Sequence, residues 1–193
     1  MQPRNRDSCT ASDRRQTSAL ILSALLAGSG CLSPRTPIPL HYYMADGVIE
    51  AALATRATAE LELMQVDADG AVRDSLTLRD GIELFYDEEH RWTGPPSDMV
   101  RRALADILIH PTEGPASRLT IAIEIFAIEL PTNEAHMVLR ARRLPANGRP
   151  QAFSVEGRSK AESPAPRDRM QALARAAAAA LEALLDKLGA RKD

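Results

Sequence analysis

The first 31 residues decide how much of this chain is available to fold. Arg4, Arg6, Arg14 and Arg15 precede an apolar run from Ala19 to Ala27, and Gly28-Ser29-Gly30 then leads into Cys31. A basic leader, a short apolar stretch and small residues before a cleavage point make a secretory signal. The apolar run is nine residues long, whereas a spanning helix needs about 20, so it is no stable membrane anchor. A cysteine directly after the small residues turns the reading into a bacterial lipoprotein signal. Its thiol is the side chain nucleophilic enough to take a diacylglyceryl thioether. Gly28 stands where such signals usually carry leucine, and an ordinary signal peptide with a coincidental cysteine is the alternative. Arg14-Arg15 lacks the flanking residues of a twin-arginine export signal.

Residues 1–30 are therefore expected to be removed as a signal peptide, with lipid on Cys31. Residues 31–40 carry Pro34, Pro37 and Pro39 and read as an extended tether. Residues 41–190 read as one domain, a normal size for a single core. With four Arg and two Asp in the leader, the remainder holds 20 basic and 24 acidic side chains. That balance argues against nucleic acid and against a polybasic membrane patch. Cys9 leaves with the leader, so Cys31 has no internal disulfide partner.

Periodicity predicts an α+β fold, a mainly antiparallel sheet packed with two amphipathic helices. Strands are expected at His41–Met44, around Leu61–Val66, at Ser75–Arg79 and Ile82–Tyr86, and in a meander of Leu119–Leu130, Ala135–Leu144 and Gln151–Lys160. Asp67-Ala-Asp-Gly70 signals a turn, and Val48–Thr58 is ambiguous between helix and strand. One helix follows Gly94-Pro-Pro-Ser97, with Met99, Val100, Ala103, Leu104, Ile107 and Leu108 on its apolar face, and ends at Pro111 and Gly114-Pro115. The other carries Met170, Leu173, Ala177, Leu181, Leu184 and Leu188 and stops at Gly189. Leu119–Leu130 is apolar on both faces and reads as a central strand. Leu119, Ile121, Ile123 and Ile125 are expected on one face, and Glu124, Phe126 and Ile128 on the other.

Chemistry-bearing motifs are sparse. His41, His90, His110 and His136 have no metal-pair spacing. Asp87-Glu-Glu-His-Arg-Trp92 invites an acid–base or metal reading, but a solvated strand end leading into a loop accounts for it. Nucleophile elbows, phosphate loops and dinucleotide fingerprints are absent, so no enzyme, cofactor or metal is expected. Trp92, the single tryptophan, is read as a core plug between sheet and helix, with a partner or lipid anchor as the alternative. Phe126 and Phe153 are read as core. Arg140, Arg142, Arg143 and Arg149 form a basic patch, usual for a solvated sheet face. Gln151–Lys160 is the expected sheet edge, guarded by Glu156, Arg158 and Lys160.

The chain resembles the ABC-type transport auxiliary lipoprotein family, of the PqiC/YmbA type. Cys31 followed by Tyr42-Tyr43 is similar to the family's tyrosine-bearing first strand. Leu76-Thr-Leu-Arg-Asp-Gly81 resembles its arginine-ended strand. Ile82-Glu-Leu-Phe-Tyr-Asp-Glu-Glu-His-Arg-Trp92 resembles its most distinctive stretch, an aromatic strand closing with an arginine–tryptophan pair before a helix. The apolar strand near Ile123, the strand at Phe153 and the alanine-rich last helix complete the order. The family's proline–tyrosine–leucine segment has no counterpart, and Asp67–Gly70 stands in its region.

The resemblance implies a non-catalytic, lipid-anchored accessory on the outer membrane, facing the periplasm. Its partners would be an ABC permease and ATPase with an Mce-type periplasmic protein, moving lipids or other hydrophobic molecules. Leu32, and not aspartate, follows Cys31, which fits outer-membrane sorting. Tyr42, Tyr43, Arg91 and Trp92 become candidate structural or partner residues, and pairing with copies of the same chain is a further expectation. A structural or regulatory envelope lipoprotein, such as an activator of cell-wall synthesis, is the competing reading, because fold alone does not fix function.

Overall fold

A computed structural model describes residues 38–56, 58–109 and 116–189. The leader, Cys31, most of the tether and the Pro111 to Pro115 breaker lie outside these residues. The described residues form an α+β fold of one seven-stranded mixed sheet, a two-stranded one and three helices. The elements are β1 (His41–Tyr43), α1 (Asp46–Leu53), β2 (Ala59–Glu60), β3 (Glu62–Ala68), β4 (Ser75–Asp80), β5 (Glu83–Trp92), α2 (Pro96–Ala105), β6 (Leu108–Ile109), β7 (Arg118–Glu129), β8 (Glu134–Leu144), β9 (Gln151–Lys160) and α3 (Pro166–Leu188).

β7 is the spine of the sheet. Its whole length pairs antiparallel with β8, which pairs antiparallel with β9. On its other side it is shared. β3 runs parallel along Arg118–Ile123, and β4 runs parallel at Ile128 and Glu129. The Asp67–Gly70 signal therefore does not reverse the chain. Residues 69–74 are an excursion after which the chain rejoins the same edge in the same direction. β5 folds back antiparallel on β4, and β1 adds parallel to β5.

A bulge between Ile123 and Ile125 corrects the expected faces of β7. Ile123 opposes Leu139, but Ile125 opposes Val138, so Glu124 is the extra residue. A bulge inserts one residue and reverses the alternation beyond it. Leu119, Ile121 and Ile123 thus share the buried face with Phe126 and Ile128, while Ile125 turns to the opposite face and is half-buried.

That buried face is covered by α3. Every apolar position expected on this helix is buried, and so are Ala172, Ala174, Ala176, Ala178 and Ala180. Short side chains let the helix lie close to β9. A Cβ at Gly157 would overlap the Ala176 carbonyl oxygen and the Ala180 amide nitrogen, so this position excludes any side chain. Gly189 closes the helix in the left-handed conformation, φ 82°, donating its N–H to the Asp186 and Leu185 carbonyls.

Three further differences from the sequence reading have physical causes. The ambiguous alanine-rich segment is helix α1, because Ile49 and Leu53, one helical turn apart, are buried together. Arg56, just beyond it, pairs with Asp186 of α3 at 2.5 Å. Ile107 and Leu108 leave the expected helix, which ends at Ala105. Leu108 and Ile109 instead pair with β2 while Ile107 and Leu108 stay buried. The Asp87–Trp92 stretch is strand to its end, because Asp74, Ser75 and β1 supply partners on both sides.

Candidate functional site

The four candidate residues meet at one place. β1 and β5 pair with Tyr42 opposite Arg91 and Tyr43 opposite Trp92. Alternation then separates their roles. Trp92 is buried, with its ring 5.6 Å from that of Phe126. Its backbone N–H donates to the Asp74 carbonyl at 2.7 Å, and Thr93 donates to Tyr43 at 3.0 Å. Arg91 points the other way and holds the polypeptide around it. It forms an ion pair with Glu88, donates to the Glu88 carbonyl at 3.0 Å and lies 3.6 Å from Asp74. Tyr43 is half-buried against the core, whereas Tyr42 is exposed.

His90 is equally committed. Its ring stacks on His41 at 5.1 Å, and Nδ1 lies 2.9 Å from Asp87. The Asp87–Trp92 run is thus a structural junction. Among the described residues, no group of histidine, cysteine, aspartate and glutamate is placed to hold a metal ion.

A second polar cluster escaped the sequence reading. On the sheet face opposite α3, His136 is buried between two carboxylates. Its Nε2 lies 3.1 Å from Glu156, while Nδ1 lies 3.5 Å from Glu129, too far for a hydrogen bond. Glu129 is itself paired with Arg79, and Arg158 bridges Glu156 and Glu134. The hydrogen bond from His136, then the charge of Arg158, holds the Glu156 carboxyl below the usual range. Four strands contribute to this network, so no local spacing announces it. Arg140 of the expected basic patch is neutralised by Glu124 at 2.6 Å.

An apolar cleft of about 390 Å³ lies where the 69–74 excursion passes the β7 bulge. Ala71, Val72, Leu84, Ile125 and Ala127 line it, and Arg79 and Glu124 stand at its border. The volume falls in the range that accepts a small molecule or an apolar chain. The bulge makes the cleft by turning Ile125 out of the core face.

These features define a packing-rich α+β domain with exposed sheet edges. The sequence model of the ABC-type transport auxiliary lipoprotein component matches residues 47–189, and the chain belongs to that family. It is accordingly an auxiliary lipoprotein component of ABC-type transport, associated with the cell envelope. A solved structure of an uncharacterised protein has the same fold, with a TM-score of 0.60 at 10% identity over 78% of this chain and 99% of that one. A Xanthomonas campestris protein of the DUF330 family is 18% identical over 69% of this chain and 88% of its own, with a TM-score of 0.49. No functionally curated protein matches the chain in sequence.

Proposed function

We infer that this protein is a non-catalytic accessory anchored by lipid on Cys31 to the periplasmic face of the outer membrane. There it links an ABC permease and ATPase with an Mce-type protein in moving lipids or other hydrophobic molecules. The observation that carries this reading is the family match over 47–189, which spans nearly all of the described fold. The single cysteine left after residue 30 and Leu32 after it support the anchor and the outer-membrane assignment. Trp92, Arg91 and His90 are engaged in packing and ion pairs, which supports a binding role over catalysis.

Docking is assigned to β9, which ends the strand order and has a neighbour on one side only, β8. An open edge offers backbone groups to a partner strand or to a second copy of the chain. Its Ala152 and Ser154 are exposed, whereas Val155 and Gly157 face α3. A photo-crosslinking residue at Ala152 or Ser154 should capture a permease, ATPase, Mce-type protein or second copy, identified by mass spectrometry. Capture of none of these from intact envelope would remove β9 as the docking edge. Recovery of an acylated Cys31 peptide from the outer-membrane fraction tests the anchor separately.

A further inference from the structure

The β4–β5 hairpin ends in a cluster of apolar side chains that the core does not use. Ile82, in the turn, is 100% exposed, Phe85 is 47% exposed and Leu84 37%. Leu84 and Phe85 lie on opposite faces of β5, so both sides of the tip are apolar. Residues beyond Leu78 and Arg79 have outrun β7, which ends at Glu129. Ile82 therefore lies past the last paired residue of β7, while Leu84 and Phe85 are level with Glu129 and Ile128.

The direction of β1 says what this tip meets. β1 is parallel to β5, with His41 opposite His90. The chain that precedes His41 therefore starts out toward the hairpin tip. His90 is eight residue steps from Ile82, about 26 Å at a strand's rise. Ten residues separate Cys31 from His41, and their extended reach is about 33 Å. A lipid on Cys31 can thus enter a leaflet at the level of the tip. Leu40, which leads into β1, is also exposed.

We propose that the β4–β5 tip, Ile82 with Leu84 and Phe85, is a second membrane contact that rests in the leaflet holding the Cys31 lipid. This rests on the anchor reading above. The contact is apolar in character. Asp80 and Glu83 flank Ile82, while Lys160 and Arg167 lie at the same end of the fold, where β9 finishes and α3 begins. With both signs present, anionic lipid and salt should alter the contact little. The tip also orients the domain. Ile82 and Leu84 border the apolar cleft, which then opens close to the leaflet surface.

The test uses the mature acylated chain in phosphatidylethanolamine–phosphatidylglycerol vesicles. Acylation blocks Cys31, so Ile82→Cys supplies the one free thiol for a polarity-sensitive fluorophore. Asn147→Cys, in the β8–β9 turn at the opposite end of the sheet, is the control. The expected result is a blue-shifted label at position 82, quenched several-fold more by brominated lipid than the label at 147. Equal, water-like emission from both positions on a chain bound through its lipid would overturn the proposal and leave the anchor standing. A label at 82 that is shielded only when envelope proteins are added would overturn it in favour of a protein partner. Recovery of the exported chain from the envelope with Cys31 unmodified would remove the anchor reading, and the tip contact with it.

Discussion

The two ends of the sheet's strand order use apolar residues in opposite ways. At β8, β9 and α3, small side chains bring a helix down onto a strand until Gly157 touches the helix backbone. At the β4–β5 tip, large side chains stay in solvent. The domain has ample core without them. An exposed isoleucine is unremarkable by itself, but three apolar residues at one hairpin end form a patch of the sort that marks an interaction site. The comparison teaches that one region encodes stability and the other is left free for contact.

Substitutions should separate the two regions sharply. Trp92→Ala removes the ring that packs on Phe126 and should cost about 3–5 kcal/mol in chemical denaturation. Trp92→Phe should cost far less, because the indole N–H has no acceptor among the described residues. Equal losses for both variants would mean that the indole has a partner. Gly157→Ala forces a Cβ into the backbone of α3, and overpacking of this kind typically costs about 1–3 kcal/mol or more. A melting temperature unchanged by Gly157→Ala would show that helix and strand are further apart than described.

The double change Ile82→Asp and Phe85→Asp should leave stability within about 0.5 kcal/mol, as exposed positions do. Marked destabilisation would place the tip in the core and erase the contrast between the two regions. The smallest effect belongs to Glu156. It is largely exposed, so Glu156→Gln should cost under about 1 kcal/mol at neutral pH. Its folded carboxyl titrates below the usual range because of His136 and Arg158. The stability it contributes is full above the ordinary carboxylate range and is lost as pH falls through the lowered value. The difference between wild type and Glu156→Gln should therefore shrink on acidification. A difference that grows on acidification would reverse the assigned direction.

Much of the architecture is legible in local patterns. The β7–β9 meander follows from alternation and turn residues, and α3 from spacings of three and four that end at Gly189. Tyr42, Tyr43, Arg91 and Trp92 were legible as a group by resemblance, and their pairing across β1 and β5 gives that grouping a physical basis. The Glu124 bulge was not legible, because β7 is apolar on both sides and either register buries isoleucines. Nor was the end of α2, where Ile107 and Leu108 suit a helix face as well as the short strand that β2 offers.

The sequence by itself determined the α+β class, the meander and the last helix, because each is written in residues close along the chain. Tertiary structure alone decided that β3 and β4 share one edge of β7, that His136 sits between Glu129 and Glu156, and that the chain before β1 points toward the Ile82 tip. Apart from His136 and Glu129, those relations join residues 20 to 56 positions apart. They depend on which strands pair and in which direction, and periodicity within a strand carries no information about either.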